Sequence, residues 1–264
     1  MKIVVCAKQV PDTTEVKLDP KTGTLIRDGV PSIINPDDKA GIEAALQLKE
    51  SVPGSTVTVV SMGPPQADVA LREALAMGCD DAILVTDRAF GGADTWATSS
   101  TIAAALKKID YDVIITGRQA IDGDTAQVGP QIAEHLGLPQ VSYAENVVVD
   151  GDCLKVQRQF EDRYHIIKVK MPCVITALAE LAQPRYMTVS GIMSAYDEKE
   201  VKVWGLADLA DTIDEANIGL KGSPTRVKQS FTKPVKPAGT VLKDLTPAEA
   251  VDAIVAKLKE KYII

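Results

Sequence analysis

The sequence predicts an α/β fold: a doubly wound, mostly parallel sheet, then an antiparallel extension, a linker and a terminal helix. Two observations carry that prediction. Short runs rich in β-branched residues, at 3–6, 57–60, 82–85 and 113–116, alternate with helix-length stretches at 38–49, 66–77, 95–107 and after Asp124. Such alternation makes right-handed βαβ crossovers and therefore a parallel sheet. From about 141 the pattern shifts to antiparallel-like strands at 147–149, 154–160, 164–169 and 174–176, expected to extend the sheet or form a small second layer.

In chain order, the first strand is Lys2-Ile3-Val4-Val5-Cys6. The chain then runs through Val10-Pro11-Asp12 to Gly23 and Gly29, with alternation at Val16/Leu18 and Leu25/Ile26, which predicts a hairpin over the sheet's edge. Asn35-Pro36-Asp37-Asp38 opens a helix, with Asn as N-cap, Pro in the first turn and acids at the positive end of the dipole. Beyond Ala179 regular periodicity fades. Residues 221–240 are rich in Lys and Pro and read as a polar linker. Thr246-Pro247-Ala248-Glu249 is a capping box for a last helix to about Lys261, with Ala250, Val251, Ile254 and Leu258 in one apolar stripe. The stripe needs a surface, on its own domain or on a neighbour. The chain is thus expected to divide into 1–178, 179–220 and 221–264.

Composition limits the function. A hydrophobic share of 45% and a charged share of 25% fit a soluble globular protein, and the net charge of −7 gives no basic face for nucleic acid. Cys6, Cys79, Cys153 and Cys173 form no close pair, and with only His135 and His165 a metal site has no workable spacing. These cysteines read as small hydrophobes in a reducing compartment. A strand at the very start is no signal peptide, and no run approaches the roughly 20 apolar residues that span a bilayer, so no membrane insertion and a cytoplasmic home are expected.

The strongest local signal is Thr116-Gly117-Arg118-Gln119-Ala120-Ile121-Asp122-Gly123-Asp124-Thr125-Ala126-Gln127-Val128-Gly129-Pro130. It links a strand to a helix, where backbone N–H groups and the helix dipole hold phosphate. Other strand ends point to the same crevice: Cys6-Ala7-Lys8 and Ser61-Met62-Gly63-Pro64. The loop Gly91-Gly92-Ala93-Asp94-Thr95 reads equally as a ligand loop and as an N-cap for the next helix. Taken singly, most of these stretches have a purely structural reading; together, on one edge of one sheet, they describe a nucleotide cleft. No GxGxxG follows the first strand, and no P-loop, GxSxG elbow or Ser/His/Asp set is present, so no residue is assigned a catalytic role.

These residues resemble the β subunit of electron-transfer flavoproteins across essentially the whole chain. The resemblance rests on 3–12 (IVVCAKQVPD), Asn35-Pro36, Ser61-Met62-Gly63-Pro64, Ala76-Met77-Gly78, 117–122, Arg158-Gln159-Phe160-Glu161-Asp162 and 170–176. It departs at Arg163, where a glycine or acidic residue is common. It implies an adenine-nucleotide α-hydrolase-like sheet and a heterodimer with an α subunit that holds one FAD. In one branch of the family the β cleft holds AMP; in the electron-bifurcating branch it holds a second FAD reduced by NADH. The small residues Gly123, Thr125 and Ala126, and the Gly91-Gly92 loop, resemble the bifurcating form.

The same resemblance implies a pocket lined by Cys6, Ala7, Lys8, Asn35, Asp38, Ser61, Met62, Gly63, Asp94 and Thr95. It adds Thr116, Gly117, Arg118, Gln119, Asp122, Gly123, Asp124, Thr125, Ala126, Gln127 and Val128, with Thr125 and Gln127 nearer the flavin. The stretch 182–193 resembles the loop that docks an acyl-CoA dehydrogenase or enoyl-CoA reductase, with Val189, Ile192 and Met193 as its apolar knob. Without the resemblance that stretch reads as a short buried helix. Electrons would reach the α-subunit FAD and a low-potential acceptor such as ferredoxin or flavodoxin. The alternatives are a non-bifurcating relative holding AMP, a stand-alone adenine-nucleotide sensor, and an ATP pyrophosphatase of related fold, whose SGGxDS loop is missing.

Overall fold

The computed structural model describes residues 1–12, 31–228 and 236–264. They fall into two compact units, Met1–Lys228 and Gln229–Ile264. Strands of the first unit are β1 (Lys2–Cys6), β2 (Gln9–Pro11), β3 (Ser32–Ile34), β4 (Thr56–Met62), β5 (Asp81–Val85) and β6 (Val113–Gly117). They continue as β7 (Gln140–Asp150), β8 (Cys153–Gln159), β9 (Tyr164–Lys170), β10 (Cys173–Ala177) and β11 (Val201–Trp204). Its helices are α1 (Pro36–Ser51), α2 (Asp68–Met77), α3 (Thr95–Leu106), α4 (Val128–Leu136), α5 (Val189–Asp197) and the single turn α6 (Gly219–Gly222).

A nine-stranded sheet has the order β11-β5-β4-β1-β6-β10-β7-β8-β9, while β2 and β3 pair antiparallel beside it. From β11 to β7 every neighbouring pair is parallel; β8 and β9 close the edge antiparallel. The chain moves outward through β1, β4 and β5, then returns to place β6 on the other side of β1, so the topological switch lies between β1 and β6.

Period-2 alternation within β-branched strands dresses both faces. Ile3, Val5, Val57, Val59, Val113 and Ile115 pack with Ile42 and Leu46 of α1 and Leu71 and Leu75 of α2. Val4, Val60, Ile83, Ile114 and Val174 pack with Ile102 and Leu106 of α3 and Ile132 of α4. Each such side chain, fully buried, contributes roughly 1.5–3 kcal/mol. The doubly wound expectation is met, with α1 and α2 on one face and α3 and α4 on the other.

The structure corrects three readings. Residues 174–176 were expected among antiparallel strands, but they lie in β10, which runs parallel between β6 and β7 near the middle of the sheet. All five β10 residues are buried, and an apolar run without alternation is the mark of a strand covered on both faces. Past Ala179, where periodicity fades, the chain still adds β11 parallel to β5. Residues 189–197 form the helix α5, capped by the Thr188 side chain accepting from the Gly191 N–H; the short helix expected without the resemblance is present, but Val189, Ile192 and Met193 stand exposed on it and are not buried. Of the expected hairpin, 13–30 lies outside the described residues.

The second unit contains α7 (Pro247–Glu260), opened by the capping box between Thr246 and Glu249. Val251 and Ile254 of its stripe are exposed. No helix among the described residues is long and apolar enough to cross a membrane.

Candidate functional site

The carboxyl ends of β1, β4, β5 and β6 open onto one cavity of about 1300 Å³. Cys6, Ala7 and Lys8 line it from β1, Met62 and Gly63 from β4, and Thr116, Gly117, Arg118 and Gln119 from β6. Asp38 enters from α1, Asp94 and Thr95 from the start of α3, and Gly123, Thr125, Ala126, Gln127 and Val128 from the loop into α4. Four expected residues are not among those lining the cavity: Asn35, Ser61, Asp122 and Asp124.

Three of those four hold the β6–α4 loop. Asn35 occupies the N-cap position of α1 but makes no capping hydrogen bond. Its side chain instead donates to the Gln119 carbonyl at 2.8 Å and accepts from the Ile121 N–H at 3.0 Å. Asp122 accepts from Lys8 Nζ at 2.6 Å. Asp124 accepts from Gln119 Nε2 at 2.8 Å. The loop is held in an uncommon shape, with left-handed φ of 49° at Asp124 and 52° at Ala126. Ser61 is buried with its hydroxyl unpartnered.

Asp38 is the electrostatic centre. Burial pushes its carboxyl up to about 7, partly offset by hydrogen bonds from the Lys8 backbone, the Asn35 side chain and the Gly117 backbone, while neighbouring Asp37 raises it further. Asp37 is likewise raised by burial, against the pull of Arg118, whose Nε stands 3.4 Å away in a charge contact without hydrogen-bond geometry. The Cys6 thiol is driven to about 12 by burial and by Asp38, so it stays protonated and is no nucleophile.

Backbone N–H groups and hydroxyls line the cavity at the starts of α3 and α4. α4 follows the N-cap Gln127 without a side-chain cap, and with Pro130 in the first turn the N–H groups left uncapped there are those of Val128 and Gly129. Gln127 Oε1 accepts from the Thr95 hydroxyl at 2.8 Å, joining the starts of α3 and α4. Asp94 caps α3 through the Ala97 N–H at 3.0 Å. Its burial is outweighed by hydrogen bonds from Ala97 and Thr225, so the carboxyl lies below its ordinary range.

Sequence reasoning missed two parts of the wall. Thr86, Asp87 and Arg88 follow β5, and the strand-end rule applied to that strand would have found them. Thr225 and Val227 also line the cavity, from a stretch whose Lys/Pro composition reads only as linker. The wall brings together small residues and the apolar side chains of Met62, Phe90 and Ile102, and among the described residues lining it no nucleophile is activated.

Residues 22–209 match the family model described as "Electron transfer flavoprotein domain". The chain is 62% identical, over the whole of both chains, to "Electron transfer flavoprotein subunit beta" of Clostridium acetobutylicum. It is 54% identical, again over full length, to "Caffeyl-CoA reductase-Etf complex subunit CarD" of Acetobacterium woodii. Full-length identity is 49% to "Acryloyl-CoA reductase electron transfer subunit gamma" of Anaerotignum propionicum.

Proposed function

The chain belongs to the electron transfer flavoprotein family, as a β subunit, and we propose that its crevice holds FAD in an NADH-oxidising, electron-bifurcating complex. The observation that carries this is room. The cavity, about 1300 Å³ and half open, has room for a ligand larger than AMP. The names of two relatives, as parts of a caffeyl-CoA reductase complex and an acryloyl-CoA reductase, support a reductase setting.

The residues fit such a ligand. The uncapped start of α4 and the small residues Gly123, Thr125 and Ala126 accommodate a pyrophosphate close to backbone N–H groups. Asp38 is occupied by backbone donors and presents little free charge to an anion. Met62, Phe90 and Ile102 offer an apolar flank for a planar ring. Bound there, FAD would supply the redox chemistry, taking a hydride from NADH and passing one electron to the α-subunit FAD and an enoyl-CoA reductase, the other to ferredoxin or flavodoxin. The chain's own residues bind, orient and tune; none acts as a general acid or base.

Partner docking falls to the face of α5 and its approach, where Tyr186, Val189, Ile192 and Met193 stand exposed. The segment is anchored by Arg185, which grips Glu43 of α1 at 2.8 and 2.9 Å. The α subunit is the partner of the whole chain, including the second unit, and the complex works in the cytoplasm. Anaerobic NADH titration of the co-expressed heterodimer tests the donor: flavin bleaching at stoichiometric NADH supports the reading, and an unchanged flavin spectrum overturns it.

A further inference from the structure

The α3 side of the crevice is built from two stretches distant in sequence, 91–94 and 219–227. The Leu220 N–H donates to the Gly91 carbonyl at 3.1 Å. The Asp94 N–H donates to Ser223 Oγ at 2.9 Å, which in turn donates to the Gly219 carbonyl at 2.8 Å. Gly219 has φ of 57°, and a side chain there would run into the Ala89 carbonyl, so the approach is close by construction. Thr225 completes the join: its N–H and its hydroxyl both donate to Asp94 Oδ2, at 2.9 and 2.7 Å.

Asp94 therefore carries its charge on the crevice wall with both oxygens covered, Oδ1 by the Ala97 N–H and Oδ2 by Thr225. An uncovered carboxylate beside the starts of α3 and α4 would repel the anion those helix ends favour. We propose that Thr225 is a positioning residue for the crevice ligand: it masks the Asp94 carboxylate so that a phosphate-bearing nucleotide can approach this wall. The inference rests on the crevice taking such a nucleotide, and holds equally for FAD or AMP. It also makes a segment that reads as linker an integral part of the site.

The test uses the heterodimer with its α subunit, freed of crevice ligand and titrated separately with FAD and with AMP. Thr225→Val is expected to weaken whichever probe binds by about tenfold, the loss of one hydrogen bond to a charged group. Asp94→Ser, which keeps a good N-cap and removes the charge without setting an amide donor against the residue-225 N–H, is expected to restore most of that affinity in the Thr225→Val background. Thr225→Ser, which keeps the hydroxyl, is expected to match the unsubstituted complex. Unchanged affinity in Thr225→Val, or a loss that Asp94→Ser does not restore, overturns the masking role. Binding of neither probe by the unsubstituted complex would overturn the nucleotide reading and this inference together, whereas tight AMP with no FAD removes only the FAD assignment.

Discussion

Asp38 Oδ1 accepts the Gly117 N–H at 2.8 Å while its Oδ2 accepts the Lys8 N–H at 2.8 Å, so one carboxylate at the start of α1 staples β6 to β1. Those are the two strands between which the topology switches, and the crevice opens where they are pinned. Gly117 permits the contact because a side chain there would occupy the space of the Asp38 carboxylate.

Gly117→Ala is accordingly expected to cost about 1–3 kcal/mol or more of stability, since the collision involves a held carboxylate and backbone. Gly123→Ala, which meets open space, is the matched control and should change stability little. Urea midpoints of the two variants decide it; equal midpoints would contradict the staple.

Asp38 also sets a pH dependence. Its folded carboxyl lies near 7, above the roughly 3.9 of an unfolded Asp, so between those values the folded state binds the extra proton. This site's contribution to stability is therefore complete at low pH and is lost as pH rises from about 4 to about 7. Asp38→Asn cannot titrate, so the stability of the unsubstituted protein relative to this variant should decline from pH 5 to pH 8. A difference independent of pH would argue against a raised Asp38.

Lys8 and Asp122 form the strap over the β6–α4 loop, with the Asp122 side chain only 6% exposed. Lys8→Met leaves that carboxylate unpaired and is expected to cost about 1–2 kcal/mol, a figure reduced because Lys8 itself is partly in water. Adding Asp122→Asn should recover part of the loss. A double-mutant cycle read by chemical unfolding measures the coupling, and strict additivity would show none.

Under the proposed docking role, Val189→Ala combined with Met193→Ala should lower electron transfer to the reductase partner by about tenfold or more. Flavin content of the heterodimer should stay unchanged, because both side chains are exposed on α5 and neither lines the crevice. Partner turnover at limiting reductase, set beside flavin absorbance, separates the two effects.

Much of this was legible in the sequence because the early strands announce themselves. Runs such as 3–6 and 113–116, β-branched and bounded by helix-length stretches, admit little besides βαβ packing. β10 was misassigned because a strand buried on both faces loses the alternation that would separate it from its antiparallel neighbours. In the crevice, the Gly-rich loops could be found from composition and strand-end position, but the wall at Thr225 could not. Its role comes from a contact with Asp94 across 131 residues, and nothing local marks it. Asn35 shows the converse: a good N-cap residue by type, its side chain is used on the opposite loop instead.

Cofactor content of the purified heterodimer decides what fills the crevice, by releasing bound nucleotides and quantifying FAD and AMP against protein. An FAD-filled crevice gives two FAD per heterodimer and no AMP. One FAD with one AMP would contradict it, leaving the family and the crevice in place but assigning the crevice a structural mononucleotide.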